Sequence, residues 1–138
     1  MIVMIIEVYT DGAYSSSRDM GGFAFVVLEN KEKIHSYFFN EPNTTNNRME
    51  IVAVLKALYW LKEVGKLNEE IIIYTDSMYV IGSMTKNWKR NKNVDLFTEL
   101  DNIYKQFKTV VFMHIKGHSG DKYNELCDKL AVIASQSK

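Results

Sequence analysis

The chain has a single cysteine, Cys127, among 138 residues. No internal disulfide can form, and a reducing compartment is expected. Net charge is missing as well, since seventeen basic residues balance seventeen acidic ones. The whole molecule therefore has no field that draws it to nucleic acid, and any such binding must be local. Long apolar runs are also absent: Met1 to Ile6 has no basic flank and meets Glu7 too early for a signal peptide or a membrane span. The expectation is a cytoplasmic location, or a nuclear one in a eukaryote, with no membrane partner. No repeat or long low-complexity segment interrupts the sequence. With 46% hydrophobic and 25% charged residues, the composition fits one compact domain over residues 1–138. A monomer is the plain expectation.

What is present is an alternation of apolar patterns. Ile2 to Tyr9 is nearly all apolar, as in a central strand covered on both faces, and is expected to stop at Asp11-Gly12. Phe23 to Leu28 reads as a second strand and Ile34 to Phe39 as a third, joined by a turn at Asn30-Lys31. After Pro42, residues Thr44, Thr45 and Asn46 offer N-cap oxygens to a helix with the stripe Ile51, Val54, Leu55, Leu58 and Leu61. That helix should end near Gly65, with Glu50 in its first turn. Ile71 to Thr75 is a fourth strand, and Ser77 to Met84 a short helix. Asn93 can cap a helix with the stripe Phe97, Leu100, Tyr104 and Phe107. Val110 to His114 is a fifth strand, and Leu126, Leu130 and Ile133 mark a last helix.

The sum is an α/β fold in the order βββαβα(α)βα. Its mixed five-stranded sheet should have three antiparallel strands and two strands parallel to the first, flanked by helices. The first and fourth strands each run into an aspartate, Asp11 and Asp76, so the two carboxylates should lie on one sheet edge, where ligands collect. Like charges that close repel unless a cation lies between them.

Each acidic residue has a plain structural alternative. Asp11-Gly12 fits the start of a turn, Asp76 an N-cap, Glu50 a helix-dipole partner, and Asp128 an exposed residue paired with a lysine. Their combination is more telling, because Glu50 and Asp128 lie on helices that can face the same edge. Four oxygen ligands without a thiolate or histidine cluster select Mg2+ or Mn2+ over zinc. Two such ions roughly 3.5–4 Å apart suit in-line displacement at a phosphodiester. A second local feature is the segment Lys86-Asn87-Trp88-Lys89-Arg90-Asn91-Lys92, with four cations and no anion. Such a run also fits an ordinary solvated loop.

Five blocks in order, Thr10-Asp11-Gly12-Ala13, Thr45-Asn46-Asn47-Arg48-Met49-Glu50, Thr75-Asp76-Ser77, Lys116-Gly117-His118-Ser119-Gly120 and Asn124-Glu125-Leu126-Cys127-Asp128-Lys129-Leu130-Ala131, resemble the successive motifs of type 1 ribonuclease H. The resemblance covers nearly the whole chain. It implies a ribonuclease H-like fold and a metal-binding tetrad of Asp11, Glu50, Asp76 and Asp128, with two Mg2+ ions in the substrate complex and Mn2+ as a substitute. His118 corresponds to the family's mobile histidine, which assists proton transfer or product release. His35 and His114 fall in no matching block.

The implied substrate is the RNA strand of an RNA–DNA hybrid, cut endonucleolytically to leave 5′-phosphate and 3′-hydroxyl ends. Only the 2′-hydroxyl distinguishes RNA from DNA at a nucleotide. The resemblance assigns that contact to Glu50, Asn46 and Asn47, and a DNA-phosphate pocket to Thr45 and Asn93. Amide side chains donate and accept, which suits a hydroxyl or a base edge. Trp88 and Lys89 are further substrate-binding candidates, Trp88 fitting either the DNA sugar face or a buried anchor for the basic loop.

The chain also departs from the family's pattern. Asn43 stands where the family often has arginine, which predicts a weaker phosphate grip or a compensating neighbour such as Lys92. Residues 14–19 replace a Gly-Asn-Pro-Gly segment, and the span from Asp76 to Asn93 is too short for a long basic protrusion. Two other classes compete with the hydrolase, a catalytically silent hybrid-binding module and a resolvase or transposase core. The intact four carboxylates disfavour the first, and the His118 loop with Asn46-Asn47 disfavours the second.

Overall fold

The computed structural model describes residues 4–137. Its sheet has the strand order β3-β2-β1-β4-β5, built from β1 (Ile5–Ser15), β2 (Met20–Glu29), β3 (Glu32–Pro42), β4 (Glu70–Thr75) and β5 (Thr109–His114). The helices are α1 (Asn46–Glu63), α2 (Met78–Thr85), α3 (Val94–Tyr104) and α4 (Lys122–Ser135). β1, β2 and β3 pair antiparallel, and β4 and β5 run parallel to β1, as the sequence order predicts. Ile2 and Val3 of the expected first strand lie outside the described residues.

The two faces of the sheet are covered differently. On one, Ile6, Val8, Phe23, Phe25, Ile71 and Ile73 pack against α1 and α3 in the main core. On the other, Tyr9, Ala24, Val26 and Leu28 meet α4 through Cys127 and Ala131. Asn30 and Lys31 both take positive φ, 53° and 68°, in the two-residue turn between β2 and β3, the geometry that matches strand twist. Among the described residues, no helix is long and apolar enough to cross a membrane.

Two local expectations are corrected, and α4, marked by Leu126, Leu130 and Ile133, is present. β1 does not stop at Asp11-Gly12: it continues to Ser15 because Asp11 to Ser15 pair with Ala24 to Met20 of β2. Glu50 is one turn into α1 rather than in its first turn, since Thr45 is the N-cap and its side chain accepts from the Arg48 amide. The buried stripe of α4 is Cys127, Ala131 and Ala134, while Leu126 and Leu130 are only half-buried and Ile133 is 46% exposed. The cause is close approach: a Cβ on Gly22 of β2 would lie 2.2 Å from the Ala131 carbonyl oxygen and 2.5 Å from the Ser135 nitrogen. Only small residues fit at that distance.

Candidate metal centre and nucleic-acid interface

The last residue pair between β1 and β4 is Tyr9 with Tyr74. Asp11 and Asp76 each follow two residues later, so parallel pairing brings them level at the carboxyl edge of β4. Ser77, not Asp76, caps α2, its side chain accepting from the Val80 amide at 3.2 Å. The Asp76 carboxylate is thereby left to the edge. Glu50 reaches it from α1 through close packing, because a Cβ on Gly12 would lie 2.5 Å from the Glu50 nitrogen. Glycine at that position lets the helix backbone touch the strand.

Asp11, Glu50 and Asp76 consequently offer carboxylate oxygens that all lie within 4.8 Å of one another. Asp11 is 5% exposed and Glu50 6%. Burial raises both pKa values, and the Asp76 charge raises them further, with Asp128 adding to Asp11 and Asp11 to Glu50. For Asp11 the result is about 8. Glu50 Oε1 is buried without a hydrogen-bond partner. A buried acceptor without a donor is costly, and a cation in the cluster would satisfy it. The all-oxygen donor set and the orphaned Oε1 together fit a hard divalent ion.

Asp128, half-buried on α4, stands outside the three-carboxylate cluster but is near enough to Asp11 to interact with its carboxyl group. His118 is exposed in the connection from β5 to α4 with a φ of 57°. Gly117 brings that connection against Asp76, since a Cβ there would lie 3.0 Å from Asp76 Oδ2. α4 itself begins on Asp121, whose side chain accepts from the amides of Tyr123 and Asn124.

Around the N-terminus of α1, Thr45, Asn46 and Asn47 are exposed beside the cluster. Asn93 occupies the N-cap position of α3 but makes no capping bond with its side chain. Instead its Oδ1 accepts from Arg48 Nη1 at 3.1 Å, and its Nδ2 donates to the Tyr79 hydroxyl at 3.0 Å. Asn47, Tyr79, Lys89, Asn91, Lys92 and Asn93 line a hollow there. Trp88 is 46% exposed, with one part of its indole lying over Gly82. It is a surface residue anchored at one side rather than a buried anchor.

The basic segment is smaller than its composition suggests. Arg90 turns inward to Asp101, to the Ser83 carbonyl and over the Phe97 ring at 4.9 Å. Lys86, Lys89 and Lys92 remain exposed. The sequence reading missed Gly12 as a packing residue, and it missed Arg48 and Tyr79. Arg48 has a local signal, since it lies three residues after the capping Thr45. Its partners Asn93 and Asp95 are more than forty residues away, beyond any spacing rule.

Comparison with known proteins agrees with this geometry. The RNase H family model matches residues 4–136. A ribonuclease H of Treponema denticola is 40% identical over 158 aligned positions, covering 96% of this chain and 98% of that protein. The crystal structure of RNase H1 from the halophilic archaeon Halobacterium salinarum superposes with a TM-score of 0.82 at 22% identity, covering 96% of this chain and 98% of the other. That of LC11-RNase H1 in complex with an RNA/DNA hybrid gives 0.79 at 24% identity, with coverage of 94% and 98%. At those identities the superpositions speak for the fold, and the sequence matches speak for the family. The chain belongs to the RNase H family of nucleases.

Proposed function

We propose that this protein, acting as a single catalytic domain, hydrolyses the RNA strand of RNA–DNA hybrids and leaves 5′-phosphate and 3′-hydroxyl ends. The observation that carries the proposal is the convergence of Asp11, Glu50 and Asp76 around the partnerless Glu50 Oε1. The hybrid bound to the LC11-RNase H1 relative supports the substrate class.

Asp11, Glu50 and Asp76, with Asp128 beside Asp11, are the groups that would hold Mg2+, or Mn2+ in its place. Two bound ions supply stabilisation of the attacking and leaving oxygens of an in-line displacement. The chain's own residues do the rest. Glu50 with Asn46 and Asn47 contacts the RNA strand at the 2′-hydroxyl. Thr45, Asn93, Trp88 and Lys89 bear on the DNA strand. His118, on an exposed connection next to Asp76, moves a proton at the scissile phosphate or helps the product leave.

The test is cleavage of four matched labelled duplexes, RNA–DNA, RNA–RNA, DNA–DNA and DNA with one ribonucleotide, with Mg2+ and then Mn2+. Cutting confined to the RNA of the hybrid is expected, with product mobility reporting a 5′-phosphate. Cleavage of the DNA duplex would move the protein to the resolvase-like class. Binding of hybrid without turnover in either metal would make it a silent module.

A further inference from the structure

Next to the carboxylates, α1, α2 and α3 meet around polar side chains that the metal chemistry does not use. Arg48 on α1 donates to Asn93 Oδ1 and holds Asp95 through two more bonds of 3.1 and 2.9 Å. Its backbone amide donates to Thr45 Oγ1, so one residue links the N-cap of α1 to the start of α3. Asn93 takes a left-handed backbone, φ 59°, and forgoes the cap that its position offers.

The direction of these bonds carries information. An amide has one accepting and one donating end, whereas a guanidinium only donates. Arg48 therefore fixes Oδ1 of Asn93 towards itself and turns Nδ2 to the Tyr79 oxygen. That oxygen is an acceptor in this bond, and among the described residues no group accepts the phenolic proton. Guanidinium, amide and phenol form a chain of donors that ends on a free O–H. With Asn93 turned the other way, Tyr79 would give its proton inward and present a lone pair outward.

Tyr79, which carries that free end, lines the hollow with Asn47, Lys89, Asn91, Lys92 and Asn93. Two lysines and no carboxylate line it, so its ligand chemistry is anionic. An anion needs donors, and the polarity that Arg48 imposes provides one more. We infer that Arg48 is a positioning residue which, through Asn93, sets the Tyr79 hydroxyl as a donor to a backbone phosphate of the bound nucleic acid. The inference rests on the proposed hybrid-cleaving function for the identity of that nucleic acid.

Tyr79→Phe isolates the hydroxyl, because the ring is held edge-on against Phe97 with centroids 5.6 Å apart. Binding of a labelled RNA–DNA hybrid, followed by fluorescence anisotropy in EDTA at low salt, should weaken by about tenfold, as for loss of a hydrogen bond to a charged group. With Mg2+ the loss should fall on KM and leave kcat. Arg48→Met should lose a similar factor, and the double variant no more than Arg48→Met alone, since both remove the same donor. The phenol is neutral, so the salt dependence of Tyr79→Phe should keep the wild-type slope.

Unchanged hybrid affinity in Tyr79→Phe, a loss confined to kcat, or additive losses in the double variant would overturn the inference. Should Arg48→Met fail to fold, Tyr79→Phe decides by itself. The two proposals fail separately. Hybrid cleavage with an unaffected Tyr79→Phe removes only the donor chain, whereas the expected binding losses without cleavage in either metal remove only the catalytic function.

Discussion

Two polar regions lie side by side in this fold, and they are built on opposite principles. At the carboxylate edge, among the described residues, Asp11 takes one hydrogen bond from the Gly12 amide and Glu50 Oε1 takes none, although both side chains are buried. At the Arg48 corner the guanidinium, the Asn93 amide and the Asp95 carboxylate all have partners within the protein, although Arg48 and Asn93 are only half-buried and Asp95 is exposed. The first region is left electrostatically unfinished, which suits groups that must take up cations. The second has its bonds in place before any ligand arrives, with only the Tyr79 O–H left over, which suits a surface that must hold its shape against a polyanion. Catalysis and recognition therefore respond to different perturbations.

The largest separation should come from Asp11→Asn. Turnover of hybrid should be abolished, while anisotropy should record hybrid binding close to that of the wild type. A variant that still cuts would show that the cluster is not the catalytic centre. His118→Ala should be less severe, slowing kcat by roughly 10²–10⁴-fold as expected for a lost proton-transfer group. Complete loss would make His118 a structural residue or a direct ligand.

A thermal experiment sharpens the contrast through pH. The pKa values of Asp11 and Glu50 are raised in the folded state, so above the ordinary carboxylate range, about pH 4, the folded protein binds more protons than the unfolded chain. The stability these groups contribute is complete below that pH and is lost as pH rises through the folded values, about 8 for Asp11. Melting in EDTA should show a decline from about pH 5 to about pH 8 that Glu50→Gln makes shallower without removing, because burial and the Asp76 and Asp128 charges still raise Asp11. The difference between the two proteins isolates the carboxylates from His35, whose burial lowers its pKa and acts with the opposite sign. Added Mg2+ should raise the melting temperature more at the higher pH, where its ligands are deprotonated. Equal slopes for wild type and Glu50→Gln would mean that the cluster carries no such strain.

The same contrast governs what the sequence could disclose. Strands and helices were legible where hydrophobic periodicity was strong, and the meeting of Asp11 and Asp76 followed from parallel pairing alone. The extension of β1 past Asp11 was not, because it depends on partners in β2 that replace an apolar pattern with backbone pairing. The helix α4 was legible, but its buried side was not, for a related reason. Leu126, Leu130 and Ile133 have the bulk that marks a stripe, yet the approach of α4 to Gly22 admits only Ala131 and its small neighbours. Aligned carboxylates leave motifs in a linear chain. A guanidinium that orients an amide contributed by another helix does not.

The smallest predicted effect tests the exposed side of the comparison by charge alone. Lys89 and Lys92 line the hollow with free side chains, whereas Arg90 is consumed by Asp101 and the Ser83 carbonyl. A lysine that neutralises one phosphate releases counterions, so its removal should reduce the slope of log affinity against log salt by about one. Lys89→Ala and Lys92→Ala should each do so for hybrid binding, with kcat at saturation little changed. Arg90→Ala should behave differently, lowering the melting temperature through its lost ion pair and its contact with Phe97 while leaving the salt slope in place. A slope that falls with Arg90→Ala but not with the lysine variants would mean that the basic segment rearranges on binding. Its resting hydrogen bonds would then be a latch rather than a scaffold.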